Sequence, residues 1–65
     1  MNWIKKLWYA RMRRLDMQIL WPICLKQAST LDQAKAAFAL HAFHDTAWLC
    51  LGEDDLNSAI DHLGE

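Results

Sequence analysis

Apolar residues recur at helical intervals along most of the chain, and their pattern predicts three helices. The first helix follows Asn2, a suitable N-cap. Two adjacent apolar stripes run along it: Ile4, Trp8, Met12, Leu15 and Ile19 in one, and Trp3, Leu7, Ala10, Met17 and Trp21 in the other. The opposite side collects Lys5, Lys6, Tyr9, Arg13 and Asp16. We therefore predict a long amphipathic helix whose apolar face packs against Phe38, Phe43 and Trp48 or forms an interface.

Pro22 interrupts this helix, because proline lacks an amide donor and clashes with the carbonyl four residues earlier. The residues from Ile23 to Ala28 keep a helical pattern. We predict either a kink near Pro22 or a new helix with Pro22 in its first turn. A short connection then places the next helix antiparallel to the first.

The central helix is predicted to extend from Thr30 to Gly52. Thr30 and Gln33 have the spacing of a capping box, and Gly52 suits the residue that follows a helix. Neither Pro nor Gly occurs between them. Apolar residues on more than one face indicate that this helix packs against both the first helix and a second subunit.

A short last helix is predicted after Gly52, with Asp54 as its N-cap and Gly64 at its end. Its apolar face consists of Leu56, Ala59, Ile60 and Leu63. The predicted fold is therefore all-α: one helical domain over residues 1–65, with a long N-terminal helix kinked near Pro22, an antiparallel central helix and a short C-terminal helix.

Composition adds an expectation of self-association. The chain has 65 residues, of which 54% are apolar and four are Trp. A domain of this size buries only ~60% of its extended-chain surface, and apolar surface left over commonly forms an interface. We expect a homodimeric helical bundle.

The two cysteines, Cys24 and Cys50, lie in apolar helical runs and are predicted to be buried, reduced thiols in a cytoplasmic protein. No signal peptide is evident. The longest nearly uncharged stretch, from Met17 to Leu25, has nine residues. A membrane-spanning helix needs ~20.

Charge is divided unevenly along the chain. Residues 1–14 contain five basic and no acidic residues, whereas residues 15–65 contain two basic and eight acidic residues. The basic, Trp-bearing first helix and the acidic end are the candidate protein-interaction surfaces, with Trp3, Trp8, Arg11, Arg13, Arg14, His44, Asp54 and Asp55 as the candidate contacts. An anionic membrane surface is the second interpretation of the first helix. Nucleic acid is the third, because the net charge of the whole chain is −1.

His41, His44 and Asp45 are the cluster with the clearest potential for chemistry. His41 and Asp45 share a helix face, so they can pair or supply two metal ligands. A structural zinc site needs four ligands, which Cys24, Cys50 or His62 would have to complete from apolar faces. The pattern favours a plain helix surface over a metal site, and no cofactor is expected.

Catalysis is not expected either. Ser29, Thr30, Thr46 and Ser58 have no evident base and orienting residue beside them. Asp54 and Asp55 suit helix capping better than acid–base work. The sequence therefore indicates a protein that is not an enzyme.

The motif Ile19-Leu20-Trp21-Pro22-x-Cys24, the run from Ala34 to Phe38, and the pairs His41-Ala42 and Ala47-Trp48 together resemble short open reading frames of bacteriophage and prophage genomes. The resemblance implies a small helical accessory protein that binds a host or phage protein, as anti-defence inhibitors do. It assigns a role to no residue. Our hypothesis is a cytoplasmic, non-enzymatic protein-interaction module; the alternative is a peripheral membrane binder.

Overall fold

A computed structural model describes residues 2–65, apart from the side chain of Asn2, so the predicted capping role of Asn2 lies outside the described residues. All regular secondary structure in this range is helical, as predicted. The elements are α1 (Asn2–Leu15), a π-helical turn (Asp16–Leu20), α2 (Trp21–Gln27), α3 (Leu31–Ala42), α4 (Thr46–Leu49) and α5 (Glu53–Asp61).

The chain stays helical through Pro22. The Trp21 amide donates to the Asp16 carbonyl, which closes the wider π-helical turn, and Pro22 lies at the start of α2. The wide turn thus comes directly before the residue that cannot donate an α-helical hydrogen bond. Pro22 therefore lies in the first turn of α2, as one of the two predictions stated, but the helical backbone is not broken there, because Leu20 and Trp21 both have α-helical φ and ψ.

α3 begins where the capping box predicts. The Gln33 amide donates to the Thr30 hydroxyl at 3.2 Å, and the Gln33 side chain accepts from the Ser29 amide at 3.0 Å. The Phe38 ring contacts Trp21, and His41, further along α3, contacts Asp16, which precedes Trp21. Later residues of α3 therefore contact earlier residues of the first helical segment, so α3 runs antiparallel to that segment.

The prediction that residues 30–52 form one helix is wrong. α3 ends at Ala42, and α4 starts at Thr46 with Asp45 as its N-cap; the Asp45 carboxylate accepts from the Ala47 amide at 2.9 Å. Asp side chains compete for backbone amides in this way and favour helix starts over helix interiors. The break also turns Trp48 towards Phe38, with ring centroids 5.2 Å apart. On a continuous helix these residues would be separated by about 15 Å of rise.

One apolar core joins α2, α3, α4 and α5. Its buried residues are Trp21, Cys24, Ala34, Phe38, Ala42, Trp48, Leu56, Ile60 and Leu63. Both Trp21 and Trp48 meet Phe38 edge to face, with interplanar angles of 86°. The predicted apolar face of α5 is confirmed, because Leu56, Ile60 and Leu63 are all buried.

Two local predictions require correction. α5 starts at Glu53, after Gly52 with a φ of 87°, and Asp54 is an exposed residue of its first turn and not its N-cap. Glycine adopts positive φ without steric cost, so no side-chain cap is needed to turn the chain there. Cys24 is buried as predicted, but Cys50 is exposed, because the chain leaves α4 at that residue.

Candidate functional site

Along α1, most of the predicted apolar face is exposed, and the packed side is largely the predicted polar one. Tyr9, Met12, Arg13 and Asp16 are partly buried, whereas Trp3 and Trp8 are 62% and 59% exposed. Ile4, Leu7 and Leu15 are exposed as well. Packing of the predicted apolar face against the central helix is therefore wrong for these α1 residues, but it holds further along, where Met17 is partly buried and Trp21 packs against Phe38. Its use in an interface stays a prediction.

Polar contacts hold the inner side of α1 against α4. The Arg13 guanidinium donates to the Ala47 carbonyl and approaches the Cys50 sulfur at 3.0 Å. The Trp48 indole donates to the Asp16 carboxylate at 2.9 Å. Hydrogen bonds to charged groups are about twice as strong as neutral ones, so these contacts fix which side of α1 faces the fold.

We define the outer face of α1 as Trp3, Ile4, Leu7, Trp8, Arg11 and Leu15. The first five line a shallow surface depression. Ile4, Leu7, Trp8 and Arg11 follow the i, i+3, i+4, i+7 spacing with which helices dock into grooves of other proteins. The outer face therefore has the arrangement of a helical docking element.

Positive charge is built into this face. Arg11 lies within the depression, and Arg14, two turns after Leu7, is exposed on the same side. Trp3, Trp8, Arg11 and Arg14 are thus together on the exposed side of α1. Arg13 is turned away from them, towards α4.

A second depression lies at the other end of the chain and has acidic neighbours. Phe43, Leu49, Gly52, Glu53 and Leu56 line it, and we call it the α5 groove. The remaining candidate contacts are sequence neighbours of these lining residues, since His44 follows Phe43 and Asp54 and Asp55 follow Glu53. All three are exposed. The candidate residues therefore fall into two separate surfaces of opposite charge.

A polar cluster of three side chains connects the π-helical turn to the break after α3. The His41 Nε2 atom lies 3.1 Å from a carboxylate oxygen of Asp16 and 3.3 Å from one of Asp45. The pairing of His41 with Asp45 is as the sequence predicted. Sequence reasoning missed Asp16, although it is the sole acidic residue among the first 31.

Comparison of the chain with protein-family models, with curated proteins and with solved structures gave no match. Within residues 2–65, no helix has the length and apolar character to cross a membrane. Assignment of function therefore depends on the surfaces and the cluster described above.

Proposed function

We propose that this protein is a small, non-enzymatic, cytoplasmic interaction module whose outer face of α1 binds another protein. The observation that carries the proposal is the exposure of Trp3 and Trp8 on a helix whose opposite side is already packed. Large exposed apolar patches are rare on monomeric proteins and commonly mark interaction sites. Trp and Arg are also the residues most enriched among strong interface contacts.

The chemistry of this face defines the partner. Trp8, Ile4 and Leu7 need an apolar groove, and Arg11 within the same depression needs a carboxylate at the edge of that groove. We therefore propose a partner with an acidic-edged apolar groove. The resemblance to phage accessory proteins supports a host or phage protein as that partner.

A second copy of this chain offers such a groove. The α5 groove combines Phe43, Leu49 and Leu56 with Glu53. We propose that the outer face of α1 occupies the α5 groove of a second copy when the partner is absent, which gives the homodimer expected from the composition. The partner then competes with self-association.

A non-enzymatic role is supported by the linings of both depressions. Each consists of apolar residues with one charged side chain, Arg11 in one and Glu53 in the other. General acid–base or nucleophilic chemistry requires convergent polar groups within hydrogen-bond reach of one another. The cluster that has them, Asp16, His41 and Asp45, lines neither depression. A cytoplasmic location is supported by the free thiols of Cys24 and Cys50.

Peripheral membrane binding is the second candidate, favoured by exposed Trp3 and Trp8 beside exposed Lys5 and Lys6. Helices that lie in a membrane surface keep their charges on the side away from the lipid. Arg11 instead lies within the apolar depression. This position favours a protein groove over lipid, and the chain's net charge of −1 does not favour nucleic acid.

The test compares capture of partners by the wild type, Trp8→Ser and Arg11→Glu, with Leu40→Ser as a matched control on α3. Leu40 is 68% exposed, more than Trp8, but lies outside the outer face. A captured protein is purified and its affinity measured by calorimetry. Loss of a central Trp costs about 2 kcal/mol or more, roughly a thirtyfold weaker affinity. The control is expected to bind within about twofold of the wild type, since peripheral exposed positions contribute little.

Equal capture by the wild type and both outer-face variants would contradict the proposal. Flotation with phosphatidylserine vesicles tests the second candidate in parallel. The membrane would be favoured over a protein partner by two results together: the wild type floats with the vesicles and is released by salt, and Trp8→Ser captures the same proteins as the wild type.

A further inference from the structure

We propose that Asp16, His41 and Asp45 form a binding site for a divalent transition-metal ion, with Zn²⁺ as the best fit. Each residue offers one ligand atom, and the three ligand atoms lie within 4.8 Å of one another. The ligands come from the π-helical turn, from the last turn of α3 and from the N-cap of α4. The site therefore exists only in the folded chain.

Two of the three separations between ligand atoms match those around a bound metal. Ligands at 2.0–2.1 Å from one ion are separated by roughly 2.9–3.4 Å in octahedral or tetrahedral geometry. The His41 Nε2 atom lies 3.1 Å from the Asp16 oxygen and 3.3 Å from the Asp45 oxygen. A metal ion would bind Nε2 and the two carboxylate oxygens in place of their present contacts with one another.

Neighbouring groups already orient both carboxylates. The Trp48 indole donates to the Asp16 Oδ2 atom at 2.9 Å. The Ala47 amide donates to Asp45 Oδ1 at 2.9 Å and leaves Oδ2 directed towards His41. Such outer hydrogen bonds fix ligand direction and strengthen metal binding.

Burial suits a site that is closed on the protein side and open to water on the other. The side chains of Asp16 and Asp45 are 23% and 19% exposed, and that of His41 is 39% exposed. Water molecules would complete the coordination from the exposed side. Two carboxylates and a neutral imidazole balance the charge of a divalent ion.

The ligand types select the metal class. Imidazole nitrogen suits Zn²⁺ and its transition-metal neighbours, whereas Mg²⁺ and Ca²⁺ prefer oxygen alone. A bound ion would join the first helical segment to the break between α3 and α4. Small domains with little core commonly gain stability from such a metal.

The experiment measures Zn²⁺ binding by calorimetry and thermal unfolding with Zn²⁺ or with EDTA. The wild type is expected to bind one Zn²⁺ and to melt several degrees higher with Zn²⁺, and Mg²⁺ is expected to have no effect. Asp16→Asn, His41→Gln and Asp45→Asn should each weaken binding by at least about tenfold. Asn keeps an oxygen for the Trp48 indole and for the Ala47 amide, so both Asn variants retain the apo fold.

Two control variants test two other possible zinc ligands. Cys50→Ser removes the exposed thiol, and His62→Gln removes a histidine paired only with Glu65. Both are expected to bind Zn²⁺ as the wild type does. The proposal is overturned if either control loses binding, if the three site variants keep it, or if the wild type shows no saturable binding. It is equally overturned if Mg²⁺ raises the melting temperature as much as Zn²⁺ does.

Discussion

Phe38 joins three helices by its two edge-to-face contacts. Its ring is fully buried, with Trp21 of α2 at 5.8 Å and Trp48 of α4 at 5.2 Å between centroids. Perpendicular aromatic pairs contribute about 0.5–1.5 kcal/mol beyond the area they bury. The side chain at position 38 therefore stabilises elements far apart in sequence.

Phe38→Ala is expected to lower the free energy of unfolding by about 3–5 kcal/mol, because it leaves a cavity between two Trp rings. A domain of this length has a total stability of roughly 3–10 kcal/mol, so the variant should lose a large part of it. Urea titration followed by circular dichroism measures this. Leu40→Ala, at a position 68% exposed, should change stability by less than about 0.5 kcal/mol. Equal losses in the two variants would refute the assigned core.

At the scale of elements, the decisive feature is the break between α3 and α4. The Asp45 carboxylate replaces the hydrogen bond that a continuous helix would give the Ala47 amide. The break places Ala47 and Trp48 against the inner side of α1, where Arg13 and Asp16 bind them. Without it, Trp48 would not reach the core.

Asp45→Ala should lower stability by about 1 kcal/mol, the usual effect of losing an N-cap. Asp45→Asn should stay within a few tenths of a kcal/mol of the wild type, because Asn caps helices as well as Asp does. Urea titrations in EDTA buffer keep metal binding out of the comparison. An Asp45→Asn variant as unstable as Asp45→Ala would show that the carboxylate charge, and not the cap, matters.

The sequence predicts the elements better than their arrangement. Thr30, Gln33 and the apolar spacing of α5 depend on contacts within a few residues, and those predictions are confirmed. The break at Asp45 was missed because apolar residues continue with helical spacing on both sides of it. A capping Asp before Thr46 was the available indication.

The helical period of the sequence also shows which residues share a face of α1. It does not show which of these faces packs against the rest of the protein. That choice depends on Arg13 and Asp16 meeting Ala47 and Trp48, more than 30 residues later. The same long-range contact brings Asp16 to His41, so two of the three cluster residues could be paired from sequence and the third could not.

At the scale of the whole molecule, the protein is elongated, with principal extents of 42 × 22 × 21 Å. It carries a basic, apolar face on α1 and an acidic-edged groove beside α5. Two copies can therefore form a dimer in which the α1 face of each copy occupies the groove of the other. This requires that a twofold rotation relates the two copies.

The proposed dimer contact pairs Arg11 with Glu53 of a second copy, and exchange of the two charges tests it. Arg11→Glu alone should reduce the molar mass from dimer to monomer at a concentration where the wild type is dimeric. The double variant Arg11→Glu, Glu53→Arg should restore the dimer, because opposite charges again face each other. Light scattering behind size exclusion measures both. A dimer unaffected by Arg11→Glu would place the contact elsewhere.

The division of the four tryptophans between two environments makes the protein its own spectroscopic reporter. Trp21 and Trp48 are buried, whereas Trp3 and Trp8 are exposed on the outer face. Acrylamide therefore quenches the emission of one pair and spares the other. A bound partner shields the exposed pair and shifts its emission to the blue, while unfolding shifts the buried pair to the red. Occupancy of the face and integrity of the core can thus be followed separately, without an added label.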